Sequence, residues 1–499
     1  MTLLCETVTA GTTAGLIEAR DRSSADLVEL RLDSAREIDV AGVLAGRSRP
    51  VVVTCRPRWE GGQFEGSEEE RRTLLGRALE LGAEFVDVEW RAQFDDLVRR
   101  DPARVVLSSH DFTGVPTDLA TQARAMRGTG AGTIKIAVMP ARLSDTLPLI
   151  DIAASDPAVV VGMGDAGVAT RLLAAHFGSR WTYAGHAVAP GQIPLPRMVG
   201  EFRFRAVHPR TAVFGVVSRT AMHSLSPAMH NAAFAASGID AVYVPLCAAD
   251  FADFQAFSRR LGMSGASVTI PFKLDALAAA AEADATATSV GAANTLRREA
   301  RGGWQATNTD VDGFLAPLES RFGSLRGARA AVLGAGGAAR AAIVALRSRG
   351  ALVTVHARRT EQADAVARDL GVMSAAWRPA PGSWDLLVNA TPLGSAAHRH
   401  QSPLPGGPFD GRLAYDLTYG AGESRFLAEA REAGCATLDG LPMLVAQAER
   451  QFEWWTGRRV PSGVMLAAVE RRTAAERQGS ERPADAVATD RAGGEEPCA

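Results

Sequence analysis

Two lysines are the most informative residues of this 499-residue chain. Lysine and arginine together number 54, yet only Lys135 and Lys273 are lysines. An arginine guanidinium is effectively always protonated, so it serves poorly as an amine nucleophile or as a proton donor. Lysine kept at two positions in an arginine-rich chain therefore predicts chemistry that needs an amine.

A group of polar and charged residues accompanies Lys135 in the N-terminal half. They end or follow short apolar runs, and they are Glu29 and Arg31 in ELRLD, Arg56 and Glu60 in TCRPRWEGG, His110 in SSHDF, Arg171, and Gln192 in AVAPGQIPL. A lysine among cations is favoured as the neutral amine, which attacks a ketone and forms an iminium. His110 can then remove the acidified neighbouring proton and return it to a leaving hydroxyl, while arginines suit a substrate carboxylate. This chemistry leaves a Schiff-base aldolase and a dehydratase both open.

The elements that must position these residues alternate between short strands and helices. The candidate strands cover residues 3–8, 26–32, 50–56, 84–90, 104–110, 133–139, 158–163 and 181–183. Such alternation, repeated about eight times, predicts a (β/α)₈ barrel. Active sites of these barrels lie at the C-terminal ends of the strands, which is where we expect the charged residues to meet.

A second group surrounds Lys273, which ends the predicted strand SVTIPFK. Asp310, in ATNTDVDG, lies near a predicted helix start. A lysine–carboxylate pair can shuttle the proton that accompanies hydride transfer to a carbonyl. Ser224 and Ser226, in HSLSPAMHN, offer hydroxyls for a substrate carboxylate. Helix capping is the ordinary role of such serines, so the residues alone leave both readings open.

A glycine-rich segment, VLGAGGAARAAIVALRSRG, follows a short apolar strand and opens a helix. Gly334, Gly336 and Ala339 give the pattern G-x-G-x-x-A, which permits a tight turn and brings a pyrophosphate to the helix N-terminus. The next strand, ALVTVHARRT, ends without the acidic residue that usually holds the ribose of NAD. Arg358 and Arg359 follow instead, which predicts a 2′-phosphate partner and hence NADP(H).

The motifs ADLVELRLD, VTCRPRWEGG, SSHDF, GTIKIA and APGQI, in this order, resemble type I 3-dehydroquinate dehydratase over roughly residues 3–200. The resemblance implies that Lys135 forms the Schiff base and that His110, oriented by Glu60, is the acid and base. It assigns substrate binding to Glu29, Arg31, Arg56, Arg171 and Gln192. Val188 stands where the family usually has a serine, which removes a hydroxyl from the loop that closes over the substrate.

The motifs HSLSPAMHN, SVTIPFK, GAANT, NTD, GAGGAAR, NATPLG, DLTYG and GLPMLVAQA resemble shikimate dehydrogenase over about 212–470. The resemblance implies Lys273 and Asp310 as the catalytic pair. It assigns substrate binding to Ser224, Ser226, Thr269, Asn294, Tyr419 and Gln447, and cofactor binding to Gly334, Gly336, Gly337, Arg358, Arg359, Asn389 and Thr391. Ser267 and Ser395 replace the family's usual asparagine and methionine, which bears on substrate contacts and on the nicotinamide site.

Together the two resemblances imply an α/β fold with an N-terminal (β/α)₈ barrel over 1–206 and a two-lobed unit after it. A substrate-binding lobe is expected over 207–325, completed by 440–475, and a Rossmann NADP-binding lobe over 326–439. The polar segment 476–499 is expected to be disordered. The dehydratase product is the reductase substrate, so the halves are predicted to catalyse consecutive steps of the shikimate pathway, as in known bifunctional fusions.

Two alternatives stay open. The first is a quinate dehydrogenase-like oxidoreductase with a catabolic role, which substrate and cofactor kinetics would separate. The second is a regulatory fusion that kept both folds and lost turnover. Retention of Lys135, His110, Lys273 and Asp310 argues against the second alternative.

Composition bounds the remaining classes. A formal net charge of -2 gives no electrostatic basis for binding nucleic acid or an anionic membrane. No apolar run approaches the ~20 residues of a membrane helix, and the N-terminus lacks a signal-peptide pattern. The 5 scattered cysteines, with no C-x-x-C spacing, predict reduced thiols, a cytoplasmic enzyme and no metal site. The expected partners are small-molecule substrates, and no oligomeric state is predicted.

Overall fold

Three sheets organise the part of the chain that the computed structural model describes, which is residues 2–155, 157–185, 189–395, 398–420 and 422–480. The first sheet is a barrel, the second is a mixed sheet, and the third is a parallel sheet between helices. No helix among these residues is both long enough and apolar enough to cross a membrane.

The barrel confirms the predicted (β/α)₈ fold class. Its strands are β1 Leu3–Val8, β2 Leu27–Arg31, β3 Val51–Thr54, β4 Phe85–Glu89, β5 Val105–Asp111, β6 Thr133–Val138, β7 Ala158–Gly162 and β8 Trp181–Ala184. Its helices are α1 Thr13–Arg22, α2 Val40–Leu44, α3 Glu68–Glu80, α4 Asp95–Arg100, α5 Leu119–Gly128, α6 Leu147–Ser155, α7 Gly164–Leu172, α8 Ala174–Phe177 and α9 Leu195–Gly200. The parallel strands follow the order β7-β6-β5-β4-β3-β2-β1-β8. Arg180 N donates to Ala158 O at 2.9 Å where β7 and β8 begin, so the sheet nearly closes.

Strand register sets which barrel side chains meet. Ser108 on β5 is the partner of both Glu89 on β4 and Lys135 on β6. His110 lies two residues after Ser108, and Asp87 lies two residues before Glu89. Because side chains two apart share a face of a strand, this register directs all five into the barrel, towards the C-terminal ends of the strands.

The second sheet belongs to the lobe that follows the barrel. Its strands are β9 Ala212–Ser218, β10 Ala241–Cys247, β11 Gly265–Val268, β12 Glu282–Ala283, β13 Thr295–Arg298 and β14 Trp304–Thr307, and its helices are α10 Ser226–Ala236, α11 Phe251–Leu261, α12 Lys273–Ala278 and α13 Ala285–Val290. The order is β10-β9-β11-β13-β14-β12, with β13 antiparallel to both of its neighbours. The helix α14 Asp310–Phe322 leads out of this lobe.

The third sheet is a Rossmann sheet, as the sequence predicts. Its strands are β15 Arg329–Leu333, β16 Leu352–His356, β17 Met373–Ala375, β18 Leu386–Asn389, β19 Leu413–Asp416 and β20 Ala436–Leu438, and its helices are α15 Gly337–Ser348, α16 Thr360–Leu370 and α17 Arg425–Glu432. All strands are parallel in the order β17-β16-β15-β18-β19-β20. The order reverses between β15 and β18, and such a switch point is where dinucleotides bind.

Two C-terminal helices, α18 Leu441–Thr456 and α19 Val464–Ser480, return to the second lobe. Phe452 of α18 packs on Phe234 of α10, with ring centroids 5.5 Å apart. The helix α19 continues through Ser480, past residue 476, where the tail was predicted to begin. Residues 481–499 lie outside the described residues, and the predicted domain boundaries stay predictions.

Directional contacts join the barrel to the second lobe. Arg142, in the loop after β6, pairs with Asp250 at 2.7 Å. Asp253, on the first turn of α11, accepts hydrogen bonds from the backbone of Leu143 at 3.0 Å and of Ser144 at 2.7 Å. A buried carboxylate with two backbone donors is well satisfied, so this contact fixes α11 against the barrel.

Candidate active sites

All eight barrel residues singled out from the sequence line one cavity of about 90 Å³ at the C-terminal ends of the strands. They are Glu29, Arg31, Arg56, Glu60, His110, Lys135, Arg171 and Gln192. Thr7, Phe112 and Tyr183 also line it. Val188 lies outside the described residues, so the effect of that departure stays open.

Lys135 is buried at the centre of this cavity, with 5% of its surface exposed. Its Nζ lies 2.9 Å from Asp87 Oδ2 and 3.5 Å from Glu29 Oε1. The sequence interpretation placed cations around this lysine, and that is wrong for its nearest neighbours, which are carboxylates. The reason is that β4 and β2 each direct an acidic side chain into the barrel interior, where it reaches the amine of Lys135.

Two of the three predicted arginines are already paired with carboxylates. Arg31 forms a two-point ion pair with Asp33, at 2.9 and 2.7 Å. Arg56 contacts Asp87 at 2.9 Å and Glu89 at 2.7 Å. Both guanidiniums therefore have their charge balanced within the protein, and each serves first to hold the acidic residues of the barrel in place.

Arg171, on α7, is different. It is 1% exposed, and no carboxylate of the described residues lies within ion-pair distance of it. Its Nη2 donates to Pro190 O at 3.2 Å, while its Nε has no partner among those residues. Burial lowers the pKa of Arg171 to about 10. A buried, unbalanced cation is costly, so this guanidinium is prepared for an anionic ligand.

His110 and Glu60, which the resemblance implies to be the acid/base residue and the carboxylate that orients it, are in direct contact. Glu60 Oε1 lies 3.0 Å from His110 Nδ1 and also accepts from the His110 backbone N–H at 2.9 Å. Burial, with the positive charges of Arg56 and Lys135, lowers the pKa of His110, while burial raises the pKa of Glu60 to about 7. Neutral His110 that donates through Nδ1 leaves Nε2 unprotonated, as a general base requires.

The second candidate site is built around Lys273 and Asp310, each at the first residue of its helix. Lys273 Nζ lies 2.5 Å from Asp310 Oδ2. Asn294 fixes the other carboxylate oxygen, because its Nδ2 donates to Asp310 Oδ1 at 2.8 Å. The predicted pair is thus assembled, and its carboxylate is held from two sides.

The glycine-rich turn lies directly beside this pair. A Cβ added at Gly337 would come within 3.0 Å of Lys273 Cδ. Gly334 has a φ of +118°, which a residue with a side chain would rarely adopt, and a Cβ there would meet Ala390 O at 2.9 Å. The turn therefore needs glycine both for its conformation and for its close packing, and α15 begins there without a side-chain cap.

Arg358 and Arg359 follow β16 and are exposed. Neither forms an ion pair or a side-chain hydrogen bond with the described residues. Free guanidiniums at the end of the second strand of a Rossmann sheet fit a 2′-phosphate better than a bare ribose. The residues present therefore fit NADP(H).

The remaining predicted residues are placed as follows. Ser226 is buried at the start of α10, and the Ser224 hydroxyl accepts from its backbone N–H at 3.2 Å. Thr269 follows β11, while Tyr419 is partly exposed near Leu441. Three other side chains form hydrogen bonds to residues nearby in the chain. Gln447 donates to Leu444 O at 2.7 Å, Asn389 donates to Leu393 O at 2.8 Å, and Thr391 donates to Asn389 at 2.7 Å. Their roles in ligand binding stay predictions.

Comparison with known proteins gives consistent matches to both halves. The family model for type I 3-dehydroquinase matches residues 4–208, the one for the shikimate dehydrogenase substrate binding domain matches 216–296, and the one for the shikimate 5′-dehydrogenase C-terminal domain matches 440–470. The chain is 33% identical over 476 residues to the bifunctional 3-dehydroquinate dehydratase/shikimate dehydrogenase, chloroplastic, of Arabidopsis thaliana, covering 88% of this chain and 78% of the relative. The chain belongs to this bifunctional family.

Single-function relatives match the second half. The shikimate dehydrogenase (NADP(+)) of Oleidesulfovibrio alaskensis is 42% identical over 257 residues, which are 50% of this chain and 91% of that protein. A shikimate dehydrogenase solved in complex with NADP+ superposes with a TM-score of 0.50 at 30% identity, covering 53% of this chain and 96% of that one. The family fold of the second half thus accounts for the mixed sheet and the Rossmann sheet together.

One departure from the family pattern has a clear structural setting. Ser267 is buried, accepts from Tyr243 Oη at 2.6 Å and donates to Gln451 Oε1 at 2.7 Å. The Gln451 amide in turn donates to Thr295 Oγ1 at 3.0 Å. Ser267 therefore links β10, β11 and α18 beneath the substrate lobe. Nothing in the structure explains Ser395, whose backbone N–H closes a turn on Pro392 O.

Sequence reasoning missed three residues that contact the barrel site. Asp87 and Glu89 lie two apart on β4, in FVDVE, and Tyr183 lies on β8. Because side chains two apart share a face of a strand, two acidic residues at this spacing in a buried barrel strand could have indicated a polar site inside the barrel. Tyr183 carried no such signal, because an aromatic residue in a strand is an ordinary core residue.

Proposed function

We propose that this chain is a bifunctional shikimate-pathway enzyme. Its barrel dehydrates 3-dehydroquinate to 3-dehydroshikimate through a Schiff base on Lys135, and its second half reduces 3-dehydroshikimate to shikimate with NADPH. Family membership and the NADP(+)-dependent relatives support both activities. The chain would act as a lyase and an oxidoreductase in the route to chorismate and the aromatic amino acids.

The observation that carries the dehydratase assignment is the unbalanced guanidinium of Arg171, which lines the same cavity as Lys135 and His110. A substrate with a carboxylate and a ketone satisfies both ends of this cavity. The carboxylate pairs with Arg171, and the ketone reaches the amine of Lys135. An aldolase would need the same amine, but the match to type I 3-dehydroquinase favours dehydration.

The dehydratase steps follow from these positions. As its ammonium gives up a proton, Lys135 Nζ attacks the ketone carbon; the carbonyl oxygen leaves as water with two protons from the nitrogen, and an iminium remains. His110 Nε2 takes a proton from the adjacent carbon, and the C–H electron pair moves towards the iminium. His110 then returns the proton to the departing hydroxyl, so that water leaves and a double bond forms. Hydrolysis of the imine releases the product and restores Lys135.

For the reductase, the residues that would hold NADPH are Gly334, Gly336, Arg358 and Arg359, and the bound group supplies a hydride to the substrate carbonyl carbon. Lys273 lies where it can donate a proton to the carbonyl oxygen, and Asp310 holds its ammonium in that place at 2.5 Å. Ser224, Ser226, Thr269, Asn294, Tyr419 and Gln447 would surround the substrate. No contact in the described residues favours quinate as the substrate.

The cellular setting is proposed on narrower grounds. The four described cysteines are buried and unpaired, which fits the reducing environment of the cytoplasm. The relative in Arabidopsis thaliana is named chloroplastic, so a cytoplasmic location stays a prediction, as does the absence of a nucleic-acid or membrane partner. Localisation of a tagged full-length chain by fluorescence would test it.

A coupled assay tests the two activities in one chain. Purified protein with 3-dehydroquinate and NADPH should oxidise NADPH and release shikimate, identified by mass spectrometry. Lys273→Ala should stop NADPH oxidation and leave 3-dehydroshikimate to accumulate. Borohydride added with 3-dehydroquinate should attach the substrate to Lys135 and not to Lys273. Peptide mapping is direct because the chain has only these two lysines. An intact dehydratase without an adduct on Lys135 would contradict the mechanism.

A further inference from the structure

The amine of Lys135 is enclosed by two groups to which the steps above give no role. Asp87 Oδ2 lies 2.9 Å from Nζ, and Asp87 has no exposed surface. On the opposite barrel wall, the ring centroid of Tyr183 lies 4.7 Å from Nζ, and Tyr183 is 3% exposed. A carboxylate and the negative face of an aromatic ring both attract a cation.

We propose that Asp87 and Tyr183 form a cation-holding cage that keeps the imine on Lys135 protonated during dehydration. Both are then catalytic residues of the dehydratase, since both contact the nitrogen that reacts. The inference rests on the proposed function, in which Lys135 forms an imine with the substrate ketone. It adds a reason for the position of that lysine between an anion and an aromatic face.

The charge balance of imine formation explains why such a cage helps. An ammonium and a ketone combine to give an iminium and one water: two protons leave the nitrogen with the carbonyl oxygen, and one N–H remains. The nitrogen carries one positive charge before and after this exchange. A fixed anion beside it is therefore paired in both states, and no buried charge is stranded when the intermediate forms.

Asp87 is built to remain an anion. Its Oδ1 accepts from Ser108 Oγ at 2.6 Å, and its Oδ2 also pairs with Arg56 at 2.9 Å. Burial raises the pKa of Asp87, but the charges of Arg56 and Lys135 outweigh burial and hold the pKa well below its usual range. The carboxylate thus favours the protonated imine, and protonation is what makes the imine withdraw electrons from the neighbouring C–H.

Tyr183 contributes through its ring. Burial raises the pKa of its hydroxyl, so the phenol stays neutral. Phenylalanine would present the same face to Nζ, whereas leucine would fill the space without a quadrupole. Glu29 lies farther from Nζ, at 3.5 Å, and its oxygens accept from Thr7 at 3.0 Å and from Thr54 at 2.9 Å. Asp87 is therefore the closer anion to Nζ.

The test compares four variants of the full chain: Asp87→Asn, Tyr183→Leu, Tyr183→Phe and, as control, Asp96→Asn. Asp96 is a carboxylate of α4 that pairs with Arg72 at 2.9 Å on the outside of the barrel. Each variant is assayed for kcat and KM with 3-dehydroquinate. The yield of reduced adduct on Lys135 is measured after a short pulse of borohydride with 3-dehydroquinate.

Asp87→Asn should lower kcat and the adduct yield about 10- to 100-fold, the usual range for one charged hydrogen bond. Tyr183→Leu should lower both roughly tenfold, and Tyr183→Phe should restore most of that loss. KM should change less than kcat in each case, because Arg171 still binds the carboxylate. Asp96→Asn should stay near wild type.

The outcomes separate this inference from the proposed function. If wild type forms no adduct on Lys135, both the proposed function and the cation-holding cage are overturned. If wild type forms the adduct and Asp87→Asn and Tyr183→Leu keep wild-type kcat, the cage alone is overturned. If circular dichroism shows that Asp87→Asn does not fold, the Tyr183 pair decides: a leucine variant as active as the phenylalanine variant overturns the proposal.

Discussion

Replacing Arg171 with methionine should make the barrel more stable and the dehydratase much less active. Most buried arginines behave in the opposite way, because they balance carboxylates. Arg171 balances none among the described residues, and its Nε has no hydrogen-bond partner there. Methionine matches much of its length and is compatible with an apolar environment. The variant therefore removes the free-energy cost of burying the Arg171 charge, and it also removes the proposed contact with the substrate carboxylate.

The magnitude follows from the shifted pKa. Burial lowers the pKa of Arg171 from 12.5 to about 10, and each unit corresponds to about 1.36 kcal/mol. At neutral pH the group is charged in both the folded and the unfolded state, since both pKa values lie far above 7. The folded state therefore carries the whole penalty, roughly 3 kcal/mol. Loss of the hydrogen bond to Pro190 O costs about 1 kcal/mol, which leaves a net stabilisation of about 2 kcal/mol.

Arg56→Met is the matched control, because it removes the guanidinium that pairs with both buried carboxylates, Asp87 and Glu89, and leaves each with a single cationic partner. Breaking such a buried pair costs about 3–5 kcal/mol. Urea denaturation, monitored by hydrogen exchange of peptides from the barrel strands, measures the change in unfolding free energy in both variants. The kcat/KM for 3-dehydroquinate should fall roughly 100-fold in Arg171→Met, from the loss of a charged two-point contact.

Ligand-induced stabilisation completes this test. Added 3-dehydroshikimate should protect the wild-type barrel from urea, since a ligand that binds only the folded state stabilises it. It should protect Arg171→Met little. The reasoning is refuted if Arg171→Met loses stability as Arg56→Met does, or if the ligand protects the Arg171 variant as well as wild type.

Three further outcomes test the two sites separately. Lys135→Arg should abolish dehydration, since a guanidinium is not a usable nucleophile, while NADPH-dependent reduction of supplied 3-dehydroshikimate, which uses Lys273, continues; loss of both activities in a folded variant would count against separate sites. Replacing Arg358 and Arg359 with alanine should raise the KM for NADPH at least tenfold and change the KM for NADH little; equal use of both cofactors by wild type would contradict the assignment. The acid limb of dehydratase kcat/KM should have its midpoint below pH ~6.5, because the lowered pKa of His110 keeps the base unprotonated as pH falls; a midpoint above that value would exclude neutral His110 as the base.

The fold was largely predictable because its signals are local. Apolar runs and turn residues located all eight barrel strands within two residues of their bounds, including the weakest, at Trp181–Ala184. The glycine pattern around Gly334 likewise located the turn between β15 and α15. The helix over Val464–Ser480 extends beyond residue 476, where the disordered tail was predicted to start. The helix that begins with VMLAAVERR continues into a polar stretch that composition alone had assigned to disorder.

The partners of charged residues were not predictable in the same way. Sequence treated Arg31, Arg56 and Arg171 alike, as cations around Lys135 that suit a substrate carboxylate. Their difference depends on which carboxylates the neighbouring strands present, and that is set by register between strands far apart in the chain. Asp87 is the clearest example: it lies 48 residues before Lys135 in the chain, and the register of β4 and β6 on their shared neighbour β5 brings it to 2.9 Å from Nζ.

The same dependence on surroundings separates the two lysines. Lys135 lies inside the barrel, with a carboxylate on one side and an aromatic face on the other. Lys273 lies at the start of α12 with Gly337 against its stem, and Asp310 holds its ammonium at 2.5 Å. An ammonium held in this way can donate a proton to a carbonyl oxygen. In the proposed function, one residue type therefore acts as nucleophile in the first site and as proton donor in the second, and the groups around each lysine account for the difference.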